Sequence, residues 1–310
     1  MVAEGADRWR QQQGLTLVEL MIALTLGMVL MAGVMEIFHS SHQGYRLLQA
    51  KQELQARGRF ALRLLARDLR SADFWGCAAR GSLNSVLLPG VAVPLVGLAG
   101  SSADGVNGSD SLQLSGGYGS ALQPQQLTPL VVNDDRATAA LNSGDYLLVA
   151  DCDRGTLLQI TESRDLGATR QLSLSGGIVT TDLNRTLIYP VTQRSYQIVS
   201  DSNNQPVLRL TINSNGNPQS QDLLEGVEVM RLQFGYDSDG DITPNRYLSA
   251  AAVPDFQQVT TVRIEFLLRS LEDFLTTAPQ HYHFDGAEHI AADHRLRQRF
   301  TTTVRVRNRR

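Results

Sequence analysis

Proline is missing from the first 88 residues of this 310-residue chain; all ten prolines fall at Pro89 or beyond. Proline breaks helix interiors, so residues 15–75, which are apolar and helix-compatible, are free to form one uninterrupted helix. Cysteine is nearly absent too: Cys77 and Cys152 are the only two. They allow either one disulfide or two buried thiols, and the compartment decides which. Basic excess is lacking, with 28 Lys and Arg against 31 Asp and Glu for a formal net charge of −3. That balance argues against a general nucleic-acid binder. No internal repeat, long low-complexity tract, glycine-rich phosphate loop or Ser/His/Asp arrangement stands out, so nothing positive points to an enzyme.

What is present begins with the apolar run LTLVELMIALTLGMVLMAGVM at residues 15–35, broken by one charge, Glu19. As a helix this run is about 31 Å long, close to the hydrocarbon thickness of a bilayer. Arg8 and Arg10 precede it and no basic residue follows until Arg46. The positive-inside rule therefore puts residues 1–14 in the cytoplasm and the remainder across the membrane. A secretory signal would have a shorter apolar region ending in a small-residue cleavage site, which Ala32 and Gly33 could mimic. A plain anchor explains the length but not Glu19, because a carboxylate in an apolar span costs on the order of 3 kcal/mol at mid-membrane. A cut after Gly14 would supply a partner, since Leu15 would then carry an α-amino group about one helical turn from Glu19. The first turn also suits a carboxylate through the helix dipole.

Gly14-Leu15-Thr16-Leu17-Val18-Glu19-Leu20 resembles the cleavage and methylation signature of type IV prepilins and pseudopilins. The resemblance implies a prepilin peptidase that cuts after Gly14 and methylates the Leu15 amine, with Glu19 docking the subunit on its neighbour's N-terminus. Leu15 departs from the commoner phenylalanine. Further segments resemble the PilW-type minor pilins: Asp73-Phe74-Trp75-Gly76-Cys77, Val149-Ala150-Asp151-Cys152, Leu224-Glu225-Gly226-Val227-Glu228, Tyr236-Asp237-Ser238-Asp239-Gly240-Asp241, Leu267-Leu268-Arg269-Ser270 and Phe300-Thr301-Thr302-Thr303-Val304. This set implies a low-abundance subunit that helps start pilus assembly at or near the tip. Its partners would be other minor and major pilins and a tip adhesin. A minor pseudopilin of type II secretion and a membrane-anchored periplasmic ligand-binding domain are the alternatives.

The expected fold is α+β: a leader at 1–14, a pilin helix at 15–75 whose first half spans the membrane, and a periplasmic β-rich head at 76–310. Leu47, Lys51, Leu54, Gly58, Ala61, Leu65 and Leu69 recur at helical spacing as a packed face. Arg59, Arg63 and Arg67 read as a solvated face, and Glu53 can pair with Arg57. In the head, strands are expected at 111–115, 145–150, 157–161, 171–175, 195–199, 207–212, 227–236, 259–269 and 300–306, mostly antiparallel, with a loop around 89–110. Both cysteines follow the membrane run, so topology places them in an oxidising space and a Cys77–Cys152 disulfide is expected.

Asp237, Asp239 and Asp241 open like a calcium loop, with Asn245 and the Thr243 carbonyl as further oxygens. Ile242 stands where an EF-hand needs glycine and Leu248 where it needs glutamate, so this is no standard EF-hand. A weak calcium site and a solvated acidic turn are the two readings, and calcium is the only cofactor the sequence suggests. His281, His283, His289 and His294 read as a polar loop, lacking the fixed second pair a zinc site needs.

Overall fold

The computed structural model describes residues 16–78, 82–86, 97–133 and 141–309. One helix, α1, runs Leu17–Ser71 over 55 residues. It ends where Asp73 turns into the left-handed region at φ 59°. There the side-chain amide of Asn308 donates to the Ala72 carbonyl at 2.8 Å, satisfying an acceptor the helix end leaves free. The chain divides into two compact units, Met1–Ala50 and Lys51–Arg310, with the boundary inside α1.

In the second unit the helix packs on the head through one stripe. Leu54, Ala61, Leu65 and Leu69 are buried and join a core with Leu112, Leu114, Tyr196, Ile198, Phe234 and Phe266. Their spacing of seven and four residues keeps them on one face. Full burial of each leucine contributes about 1.5–3 kcal/mol. Gly58 belongs to the stripe for a steric reason: a Cβ there would stand 2.4 Å from the Phe300 ring. Lys51, expected on this face, is exposed instead, as are Arg59, Arg63 and Arg67. The expected Glu53–Arg57 pair forms at 2.7 Å.

The strands in chain order are β1 (Leu83–Val86), β2 (Leu98–Ser101), β3 (Ser111–Gly117), β4 (Pro124–Leu127), β5 (Leu130–Asn133), β6 (Tyr146–Ala150), β7 (Gly155–Asp165), β8 (Thr169–Leu174) and β9 (Leu187–Ser200). They continue as β10 (Pro206–Asn213), β11 (Gln219–Glu225), β12 (Val227–Tyr236), β13 (Arg246–Leu248), β14 (Val259–Arg269), β15 (His281–Phe284), β16 (Ala287–Ile290) and β17 (Arg297–Arg305). Among the described residues they make an eleven-stranded sheet with the main path β11-β10-β9-β6-β7-β8-β5-β4, a four-stranded sheet β13-β12-β14-β17, and the hairpin β15-β16. Every pairing is antiparallel except β1 with β7.

Each of the nine expected strands is present. Two further expectations are corrected. The stretch read as a loop around 89–110 contains β2, whose register pairs Leu98 with Leu114. Glycine and serine in LAGS hid a strand that its neighbour specifies. The histidines read as a loop lie on the β15–β16 hairpin, except His294.

Candidate functional site: the first turns of the long helix and its support

Two residues start α1. The Thr16 hydroxyl accepts from the Glu19 backbone N–H at 3.2 Å, and the Glu19 carboxylate accepts from the Thr16 backbone N–H and hydroxyl, both at 3.1 Å. This reciprocal arrangement is a capping box, which the Thr-x-x-Glu spacing encodes. It holds the one carboxylate of the apolar run at the helix entrance, where backbone N–H groups and the dipole favour a negative group. Gly14 and Leu15 lie outside the described residues.

Every residue from Thr16 to Tyr45 is exposed. None of this apolar segment is buried, and the helix is long and apolar enough to cross a membrane. Gly27 and Gly33 have nothing within 4 Å of where a Cβ would be.

The support lies in the second unit. Asp68, on α1 and 1% exposed, receives hydrogen bonds from the Tyr196 hydroxyl at 2.5 Å and from Arg194 at 2.6 Å. Arg67 reaches its other oxygen at 2.9 Å. Burial alone would push the Asp68 carboxyl up, but the Tyr196 and Arg194 donors outweigh it and hold it below the ordinary range. Tyr118, packed 4.2 Å from the Arg194 guanidinium, is pushed up to about 12 by burial. Nothing in the sequence reading singled out this cluster; an aspartate between Leu65 and Leu69 of the apolar stripe was the available signal.

The family-like segments prove to be holding points of the head. The Trp75 indole donates to Asp73 at 2.7 Å. Cys77 and Cys152 form a disulfide with Cα atoms 4.5 Å apart, tying the segment after α1 to the β6–β7 turn. Closing this 75-residue separation stabilises the head by up to about 4 kcal/mol on a chain-entropy reckoning. Asp151, beside Cys152, accepts from the backbone N–H groups of Asp153 and Arg154, both at 2.8 Å. Glu228 at the start of β12 meets Arg297 at 2.8 Å and Arg269 at 3.3 Å.

Asp237, Asp239 and Asp241 come together, each offering one oxygen within 4.8 Å of the others. Asp237 is buried and accepts from the N–H groups of Gly240 at 2.7 Å and Ile242 at 2.8 Å. Its desolvation is outweighed by these donors, which hold its carboxyl below the usual range. The Asn245 oxygen accepts from the Ser238 N–H at 2.7 Å, while the Asn245 amide donates to Asp239 at 3.1 Å. Ile242 does adopt the left-handed conformation of an EF-hand glycine, at φ 70°. Of the histidines, His281 approaches Glu288 at 3.3 Å and His289 approaches the Phe284 carbonyl at 3.2 Å.

Residues 9–35 match the family model of the prokaryotic N-terminal methylation motif, and residues 195–308 match that of the type IV pilus-assembly protein W. Together the two matches support a type IV pilin-like minor pilin. No curated protein and no solved structure is significantly similar to it. The first match contains the capping box of this chain and most of its exposed apolar segment. The second runs from β9 through β17 and contains Tyr196, Glu228 and the acidic turn. Proteins of such families are structural and work with other pilins and the pilus machinery.

Proposed function

We propose that this chain is a minor pilin, cut between Gly14 and Leu15 by a prepilin peptidase and methylated on the Leu15 amine, and that it joins or primes a type IV pilus near its tip. Before assembly it sits in the inner membrane in a single pass, with residues 1–14 cytoplasmic and the head periplasmic. Glu19 docks the subunit by receiving a neighbouring N-terminal amine. Other minor and major pilins, and a tip adhesin, are the partners. The observation carrying this reading is a lone carboxylate in the first turn of an otherwise apolar, wholly exposed helical segment that runs to Met35. In a membrane such a group needs a partner, and a new amine one turn away is a fitting one. Mass spectrometry of the mature protein should find N-methylated Leu15 at its start. Glu19→Ala should leave the protein in the membrane at normal level while pilus number falls sharply. An intact Met1 start in cells with active peptidase, a cut near Ala32, or normal piliation of the mutant would sink the proposal.

A further inference from the structure

The four-stranded sheet has two unlike faces. The inner one packs Phe234, Ile264, Phe266, Phe300 and Val304 into the core with α1. The outer one alternates with these positions and bears Arg231, Arg263, Arg299 and Arg305, with Arg307 just past the end of β17. Two of these are neutralised: Arg231 by Asp285 at 2.9 Å and Arg299 by Glu265 at 3.3 Å. Among the described residues, Arg263, Arg305 and Arg307 have no carboxylate partner, and all three are exposed. Register pairs Thr261 with Arg305 and Arg263 with Thr303, so Arg263 and Arg305 are diagonal neighbours. The Arg263 guanidinium lies 4.2 Å over the Tyr247 ring and donates to the Gln233 side chain at 3.1 Å.

We propose that this face binds a nucleic-acid strand through its phosphates, without sequence preference. Arginine forks match phosphate oxygens, and the exposed Thr301, Thr303 and Gln233 supply the neutral donors that such backbones also use. The guanidinium backed by Tyr247 offers its open side to a base. The patch has no exposed apolar anchor, which a protein hot spot would require. A formal net charge of −3 does not exclude it, because local potential, not net charge, governs a contact.

The test uses the full chain in nanodiscs of zwitterionic lipid and a fluorescent single-stranded DNA of about 20 nucleotides. Anisotropy should show binding whose log affinity falls with log salt at a slope of roughly −2 to −4 for three to five phosphate contacts. The triple variant Arg263→Gln/Arg305→Gln/Arg307→Gln should bind about tenfold or more weakly, with an unchanged melting temperature. Removing the same charge from the helix, Arg59→Gln/Arg63→Gln/Arg67→Gln, should leave affinity within about twofold. Equal loss in both triple variants, or no binding by wild type at low salt, overturns the proposal. Retention on anionic vesicles through the same three arginines, without DNA binding, overturns it in favour of a membrane surface.

Discussion

The two halves of α1 share one backbone and solve opposite problems. From Leu17 to Tyr45 every side chain is exposed, and Leu, Met, Val and Ile occupy all sides of the helix. From Lys51 to Ser71 most apolar residues gather on a buried stripe, with Phe60 outside it, and Arg59, Arg63, Arg67 and Arg70 are exposed. A helix apolar all round needs an apolar surrounding, which a bilayer provides; a striped helix needs one packed surface. The contrast extends to glycine. Gly27 and Gly33 touch nothing, whereas Gly58 is required by the Phe300 ring. A residue type therefore carries no fixed meaning along this helix; its surroundings assign it.

The sharpest way to break this comparison is a matched pair of truncations. Leu65→Ala, at a fully buried position, should destabilise the head by about 3–5 kcal/mol. Leu24→Ala, at 57% exposure, should leave head unfolding unmoved. Chemical denaturation of the full chain in nanodiscs checks both, and equal losses would mean the two halves are not distinct environments.

Next in size is the buried charge. Arg194→Gln strips the principal cation from Asp68 and should cost about 2–4 kcal/mol, somewhat below the range for breaking a fully buried pair because Arg194 is partly exposed. Asp68 has a lowered carboxyl pKa in the folded protein. Its contribution is therefore present above the unfolded value of about 3.9 and is lost as pH falls through the lower folded value. Asp68→Asn should flatten the acid limb of the stability curve below about pH 4; an unaltered limb would show that other carboxylates set it.

Gly58→Ala sharpens the comparison at smaller scale. Alanine gains about 1 kcal/mol of helix propensity, yet the Phe300 contact should cost about 1–3 kcal/mol through overpacking. A net loss near 1 kcal/mol is expected, against none for Gly27→Ala, and a stabilised Gly58→Ala head would refute the steric reading.

The smallest effect belongs to the acidic turn. If its three carboxylates hold calcium at roughly 0.1–1 mM, about 1 mM calcium should stabilise the head by about 0.4–1.4 kcal/mol. Asp239→Ala should remove that gain. Identical melting in calcium and chelator would leave a turn closed by its own backbone donors.

Much of this was legible because it depends on residues near one another in the chain. Thr16 and Glu19 meet through the pitch of one helical turn, the apolar run is contiguous, and the nine expected strands alternate visibly. The strands that escaped notice, such as β2 and β15, are short and carry glycine, serine or histidine, so their neighbours decide them. Cys77 and Cys152 could be paired by elimination, being the only two, without any knowledge of geometry.

Sequence by itself thus determined the helix, its apolar first half, its cap and the β character of the head, since helical pitch and strand alternation are local periodicities. Tertiary structure alone decided that Asp68 would face Arg194 and Tyr196, more than 120 positions away. It also decided that Arg297 would be buried against Glu228 while Arg305, of the same parity on the same strand, stayed in water. The reason is that the cost of burying a charge depends on which partner the fold delivers to it, and no local pattern encodes that partner.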